Sequence, residues 1–143
     1  MSISTKGRYA LRMMIEVGLN PDRCTKIREV SARQQISDKY LEQIVTLLNR
    51  AGYVKSVRGA QGGYRLTMDP SEYTVGMILR QVEVTLSPVS CLEEDAEPCA
   101  RASSCATLGL WKQLQDAVNS VVDQVTLADL IEEQRQHPEQ NLM

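Results

Sequence analysis

The chain has 143 residues, of which 43% are hydrophobic and 24% are charged, so it is long enough for one globular domain with an appended element. Lys6, Arg8 and Arg12 interrupt the N-terminal segment, which therefore does not resemble a signal peptide. No apolar run approaches the ~20 residues that a membrane-spanning helix needs. These features argue against a membrane protein, and we expect a cytoplasmic location.

The net charge of -2 conceals two halves of opposite sign. Residues 1–68 carry twelve lysines and arginines against five acidic residues, whereas residues 69–143 carry four against thirteen. A basic half can neutralise the phosphates of a nucleic acid, and an acidic half should avoid them. The same charges can also belong to ordinary solvent-exposed surfaces. The order of the predicted helices and strands decides between nucleic-acid binding and this simpler interpretation.

Three helices are predicted in the first fifty residues. Ser4 or Thr5 can cap the first helix, and Thr25 is expected to cap a second, shorter helix that stops near Gln35. A short turn leads to a third helix, for which Ser37 is a suitable N-cap. The lengths and the turn of the second and third helices are those of a helix-turn-helix pair.

Two short strands are predicted at residues 53–57 and 63–67, around a glycine-rich turn that carries Arg58. In a winged helix-turn-helix, one helix enters the major groove and such a hairpin lies on the neighbouring backbone or in the minor groove. We therefore predict a mainly α fold with a small β-hairpin wing, that is, a winged helix-turn-helix domain with a long dimerisation helix.

The outward side chains of the third helix and the wing are the candidate DNA contacts. Lys39 suits a phosphate, Gln43 suits adenine, and Glu42 can accept a hydrogen bond from cytosine. A cationic side chain at the wing tip can reach a narrow minor groove. Any amphipathic helix has an exposed polar face, which is the simpler alternative. The predicted DNA-binding residues are Ser37, Lys39, Tyr40, Glu42, Gln43, Arg58 and Gln61.

Beyond a fourth helix that begins at Thr74, a loop contains Cys91, Cys99 and Cys105 with the spacing C-x7-C-x5-C. In a cytosolic protein, three clustered thiols indicate metal or redox chemistry rather than a disulfide. Thiolates suit iron-sulfur clusters or zinc, although the C-x2-C pairs of zinc ribbons are missing. A loop of thiols that binds no metal is the alternative.

The strongest helical pattern spans residues 107–125, where apolar residues recur at intervals of three and four. This seam is best explained by a partner subunit, and packing within one chain is the alternative. A two-fold axis would present two recognition helices to a palindromic operator. The predicted dimer interface consists of Trp111, Leu114, Val118, Val121 and Val125.

The sequence thus divides into four segments. Residues 1–83 are predicted to form the winged helix-turn-helix domain and residues 84–106 a cysteine-containing sensor loop. Residues 107–133 are predicted to form the dimerisation helix and a short C-terminal helix capped at Thr126. Residues 134–143 are polar, and we expect a disordered tail there.

Three segments, STKGRYALRMM, ISDKYLEQ and SVRGAQGGYRL, closely resemble the IscR and NsrR family of bacterial winged-helix regulators. The resemblance implies a homodimer that binds a palindromic double-stranded DNA operator through the third helix and the wing. It also implies an iron-sulfur cluster, of the 2Fe-2S or the 4Fe-4S type, held by the three cysteines of the loop.

The fourth cluster ligand departs from the family pattern. IscR-type proteins have a histidine three residues past the last cysteine, where this chain has Leu108. NsrR-type proteins use an acidic residue near the N-terminus, and Arg8 occupies the aligned position. The candidates that stay open are an exogenous small ligand or one of Glu93, Glu94, Asp95, Glu97 and Thr107.

The predicted function is that of a transcriptional repressor whose cluster senses iron, redox or nitric oxide status. The first alternative is a metal-free CymR-like regulator controlled by a metabolic enzyme that docks on the acidic half. The second is a regulator controlled by zinc or by thiol oxidation. An enzyme is not expected, because the lone histidine, His137, lies in the C-terminal tail and neither a Ser-His-Asp set nor a phosphate-binding loop is present.

Overall fold

The computed structural model describes residues 2–138. The predicted fold class is confirmed, because this part of the chain is mainly helical with one two-stranded antiparallel sheet. None of its helices is long and apolar enough to cross a membrane. The elements are α1 (Thr5–Gly18), α2 (Ile27–Gln34), α3 (Asp38–Arg50), β1 (Val54–Val57), β2 (Gly63–Leu66), α4 (Val75–Val82), α5 (Leu108–Gln124) and α6 (Leu127–Gln136), with short 3-10 turns at Pro70–Glu72 and Ser90–Leu92.

Helix boundaries follow the hydroxyl residues that the sequence places before them. The side chains of Ser4, Ser37 and Thr126 each accept a hydrogen bond from the backbone N–H three residues further on, at 3.1, 3.2 and 3.1 Å. Each bond satisfies an N–H group that the first helical turn leaves without a partner. Three of the predicted helix starts are therefore confirmed.

The prediction that Thr25 caps α2 is wrong. Lys26 is the N-cap residue, and its backbone N–H donates to the carboxylate of Glu29 at 3.2 Å. Thr25 is instead buried in extended conformation, where its N–H and C=O bond to Tyr64 at 2.9 and 2.8 Å. At Gly63 (φ +142°), a Cβ would lie 2.6 Å from the Thr25 carbonyl oxygen, so this approach requires glycine. The wing is thereby joined to the segment before α2.

One hydrophobic core joins the helix-turn-helix to the last helix. Leu127 and Ile131 of α6 are buried against α1, so α6 completes the core of the winged unit in its own chain. The helix continues to Gln136, three residues into the segment that was expected to be disordered, and residues 139–143 lie outside the described part. The core side chains are Ala10, Met13, Met14, Val30, Ile36, Leu41, Ile44, Val45, Leu48, Val54, Tyr73, Ile78, Val82, Leu127 and Ile131.

A buried tyrosine fixes the base of the wing. The hydroxyl of Tyr73 donates to the Tyr53 carbonyl at 2.7 Å and accepts from the backbone N–H groups of Thr67 and Met68 at 3.0 and 3.1 Å. The rings of Tyr73 and Tyr53 meet edge to face, with centroids 5.8 Å apart. One fully buried phenol therefore satisfies three backbone groups where the hairpin rejoins the core.

Replacing Tyr73 by phenylalanine should destabilise the fold by about 1–3 kcal/mol, because the change leaves three backbone groups without their partner. The free energy of unfolding would be measured by urea titration. The matched control is Tyr9→Phe, since the hydroxyl of Tyr9 has no hydrogen-bond partner among residues 2–138. Equal stability of the Tyr73 and Tyr9 variants would contradict this account of the wing base.

Candidate nucleic-acid interface and cysteine loop

The outer face of α3 is available to a ligand. Lys39, Glu42 and Gln43 are exposed, while the opposite face of the helix, with Leu41 and Ile44, is fully buried. This division follows from the strong amphipathic pattern of the sequence. The three predicted contact residues thus point away from the core and lie along one and a half turns of the helix.

The first turn of α3 is more constrained than its sequence suggests. Ser37 is exposed, but its oxygen already accepts from the N–H of Tyr40 at 3.2 Å, so the hydroxyl proton is what it can offer to a phosphate. Tyr40 is half-buried, because its ring packs edge to face on Tyr9 with centroids 5.7 Å apart. The ring is therefore held in place, and only part of it can reach DNA.

The wing presents Arg58 and Gln61 as exposed side chains on its turn. Lys26, at the start of α2, donates from Nζ to the carbonyl of Ala60 at 2.9 Å and so ties this turn to the helix-turn-helix. A Cβ at Gly62 would collide with the carbonyl of Val57, which explains a glycine there. The role of Lys26 could not be predicted, because a contact across 34 positions leaves no local signal.

The three cysteines of the loop are accessible but not gathered. Cys91 and Cys99 are exposed, Cys105 is half-buried, and all are free thiols. Within residues 2–138, no group of three or more cysteine, histidine or acidic side chains is placed to hold a metal ion. The donor types suit an iron-sulfur cluster, but this conformation of the loop does not form its binding site.

Cys105 lies just before the first turn of α5. Its Sγ is 3.4 Å from the hydroxyl of Thr107, and this hydrogen bond, with those of the Thr107 and Leu108 backbone N–H groups, lowers the pKa of the thiol. Donors near a helix N-terminus favour the thiolate in this way. Cys105 is thus the cysteine of the loop for which the surroundings favour the form that binds metals or reacts with oxidants.

Acidic side chains of the loop line a cleft between α4 and α5. Three of the candidate fourth ligands, Glu93, Glu94 and Asp95, border this cleft of about 350 Å³. Glu83, at the end of α4, completes the acidic rim, and Arg80 is the basic residue of the lining. The cleft concentrates negative charge on the side of the molecule that carries the cysteine loop.

α5 lies on the surface of the winged unit, where it contacts α4 and buries none of its residues. Arg80 of α4 holds it by a bidentate ion pair with Asp123 and a hydrogen bond to Asn119 at 3.1 Å. The pair lowers the pKa of Asp123 and raises that of Arg80. A polar clamp rather than a core therefore orients this helix within the chain.

The predicted seam of α5 is uncovered. Leu114 and Val121 are exposed, the latter to 61%, while Trp111, Val118 and Val125 are half-buried. Leu110, which is not among the predicted interface residues, is also 55% exposed. Packing against α4 thus covers only part of the stripe, and the side with Leu110, Leu114 and Val121 is left exposed in the described part of the chain.

A helix-turn-helix and a pinned wing, formed by the basic half of the chain, together define a winged-helix DNA-binding regulator. The chain matches the model of the Rrf2 family, described as "Iron-dependent Transcriptional regulator", over residues 3–133. The protein therefore belongs to the Rrf2 family, and the predicted resemblance is confirmed.

Curated relatives and solved structures agree with this assignment. The chain is 45% identical over 134 residues to the regulator CymR of Bacillus subtilis (91% of this chain, 89% of the relative). It is 37% identical over 132 residues to the regulator IscR of Aliivibrio salmonicida (92% and 77%). The structure of the global cysteine regulator CymR of B. subtilis superposes with a TM-score of 0.76 at 42% identity (93% of this chain, 98% of that chain). The structure of T. potens IscR superposes with a TM-score of 0.77 at 30% identity (99% and 93%). These relatives are transcriptional regulators and not enzymes, as predicted.

Proposed function

We propose that the protein is a homodimeric repressor that places α3 in the major groove and the wing on the adjacent minor groove of a palindromic operator. The observation that carries this proposal is the outer surface formed by the exposed face of α3 and the pinned wing turn. The excess of positive charge in residues 1–68 supports it, because these residues include the whole of that surface.

Within this surface the side chains have different roles. Gln43 and Glu42 read base edges, whereas Lys39 and the hydroxyl of Ser37 contact phosphates. Tyr40 contacts the DNA backbone beside them through the part of its ring that Tyr9 leaves exposed. Arg58 enters the minor groove from the wing tip, and Gln61 supports it from the same turn.

The operator can be found by selecting duplexes from a random library with the wild-type protein. Gln43→Ala should then weaken binding to the selected duplex by about 1–3 kcal/mol, because a bidentate base contact is lost. Arg58→Ala should weaken it and also lower the slope of log affinity against log salt. Affinities would be measured by fluorescence anisotropy.

Lys112→Ala is the matched control, because Lys112 is an exposed cation on α5, outside the proposed surface. It should bind like the wild type. Selection that yields no common sequence would refute the proposed recognition. Equal losses for Arg58→Ala and Lys112→Ala would show that overall charge rather than the surface decides.

We also propose that the uncovered stripe of α5 is the dimer interface. Its support is the exposure of Leu110, Leu114 and Val121 on a helix that buries nothing in its own chain. An isologous contact between two such helices would cover these residues on both copies. Two recognition helices would then face successive major grooves.

Val121→Asp should convert the protein to a monomer, because a two-fold interface would bury two new carboxylates, one from each copy, without a partner. Analytical ultracentrifugation measures the mass in solution. Val84→Asp is the matched control: Val84 is fully exposed, lies outside α5, and should leave the dimer intact. If the Val121 variant keeps the mass of two chains, the interface lies elsewhere.

Control of DNA binding is proposed to reside in the cysteine loop, with Cys91, Cys99 and Cys105 as ligands of an iron-sulfur cluster. Support comes from three accessible thiols within fifteen positions and from the description of the family. A bound cluster would supply a redox-active, nitric-oxide-sensitive group there. Cys91, Cys99 and Cys105 would hold the cluster and so restrain the loop that connects α4 to α5, and a change of cluster state would alter the placement of the recognition helices. A tenfold change of operator affinity requires about 1.4 kcal/mol of coupling.

Protein purified without oxygen should therefore be coloured and should contain iron and sulfide. Both should disappear when Cys91, Cys99 and Cys105 are changed to alanine, while Cys24→Ala, on the helix-turn-helix side, keeps them. Absorption spectra with iron and sulfide analysis measure this. A colourless wild-type protein that also resists reconstitution would refute cluster control.

A metal-free, CymR-like regulator is the second candidate. Two observations favour it, the 45% identity to CymR and the cysteines that are not gathered. In that case the acidic rim of the α4–α5 cleft is the docking surface for a partner enzyme, or the thiol of Cys105 is the site of oxidation. Recovery of a colourless protein with full operator affinity would favour this candidate.

A further inference from the structure

Three polar or aromatic residues of α1 form a stripe that faces the helix-turn-helix. Tyr9, Arg12 and Glu16 follow one another at intervals of three and four, so they share one side of the helix. The functional surface described above uses none of them. Glu16 is 2% exposed, which is unusual for a carboxylate and calls for a reason.

Glu16 is buried because two donors from the end of α2 hold its carboxylate. Arg33 donates from Nε to Oε2 at 2.9 Å, and Gln34 donates from Nε2 to Oε1 at 2.6 Å. A buried charge is tolerated when it is paired and hydrogen-bonded in this way. Both carboxylate oxygens are thereby fixed to the last two residues of α2.

Arg12 also binds Gln34, the last residue of α2. Its Nε donates to the side-chain oxygen of Gln34 at 2.7 Å, and its Nη2 donates to the Gln34 carbonyl at 2.8 Å. The next residue, Gln35, is left-handed at φ 55° and is the only non-glycine residue with positive φ among residues 2–138. The two hydrogen bonds from Arg12 to Gln34, called the Arg12 clasp below, thus hold the end of α2 at the point where the chain turns towards α3.

The stripe also reaches the first turn of the recognition helix. The guanidinium carbon of Arg12 lies 5.1 Å from the centre of the Tyr9 ring. The Tyr9 ring in turn meets Tyr40 edge to face, with an interplanar angle of 85°. One face of α1 therefore holds both sides of the turn, Gln34 before it and Tyr40 after it.

We propose that Arg12 and Tyr9 are positioning residues for operator recognition: without touching DNA, they set where Tyr40 and the first turn of α3 stand in the groove. Arg12 is half-buried and uses Nε and Nη2 to bond Gln34, so these two groups orient the end of α2 rather than a phosphate. Small displacements of such a first turn misplace every base contact that follows it. The inference rests on the proposed DNA recognition.

The test compares two duplexes, the sequence selected by the wild-type dimer and a shuffled sequence of equal length. Arg12→Met removes the hydrogen bonds to Gln34, and Tyr9→Leu removes the ring that lies between Arg12 and Tyr40. Each variant should lower the ratio of selected to shuffled affinity by about tenfold or more. The affinity for the shuffled duplex and the slope of log affinity against log salt should stay at their wild-type values.

Three further variants separate positioning from simple loss of structure or charge. Tyr9→Phe keeps the aromatic ring, so its ratio of selected to shuffled affinity should equal that of the wild type, unlike the ratio of Tyr9→Leu. Arg12→Lys keeps the charge but cannot make both bonds to Gln34 in one geometry, so it should restore the ratio only in part. Arg8→Gln removes the same charge from the same helix but breaks only a bond to Thr5, and should keep the ratio. All measurements are made well below the melting midpoint of each variant.

Two results would overturn the inference. Ratios within about twofold of wild type for both Arg12→Met and Tyr9→Leu would show that the stripe does not position α3. A fall of the salt slope by about one unit for Arg12→Met, with equal losses on both duplexes, would make Arg12 a phosphate contact. Failure of the wild-type protein to select any sequence overturns DNA recognition itself and is seen before any variant is made. If Arg12→Met does not fold, the Tyr9 pair alone decides.

Discussion

The burial of α1 is the constraint on which the rest of the molecule depends. This helix packs against α2, α3, α4, α6 and β2, so its surface has to fit five neighbours. Its small residues show how tightly they fit: a Cβ at Gly18 would run into Ile131 of α6, and a Cβ at Gly7 would run into Glu83 after α4. The polar side of α1 is then left to meet the helix-turn-helix, where only complementary hydrogen bonds can be accommodated.

Much of this architecture could be predicted because its signals are local. Periodicity identified α1, α3 and α5, hydroxyl caps gave the starts of α1, α3 and α6, and glycine spacing gave the wing. Thr25 was misassigned because its cap signal competes with a backbone pairing to Tyr64, 39 positions away, and long-range pairing prevailed. The clasp of Arg12 on Gln34 escaped for the same reason, since nothing near either residue in the sequence points to the other.

The cysteine loop marks the other limit of sequence reasoning. Spacing and residue type specify what the loop can bind but not the shape in which it rests, because few apolar contacts define that shape. α5 is intermediate: its periodic stripe was predicted, and its isolation from the core was visible only in three dimensions. The molecule thus combines a winged unit whose parts are fixed by a common core with a helix and loop attached by polar contacts.

The pairing of Thr25 with Tyr64 extends the hairpin by a third, strand-like segment and joins the wing to the helix-turn-helix by two backbone hydrogen bonds. These bonds restrict the distance between α3 and the wing tip. Duplexes differ in how easily their grooves narrow to match such a span. Under the proposed recognition, base pairs that no side chain touches can therefore contribute to operator choice, through the stiffness of the DNA between α3 and the wing.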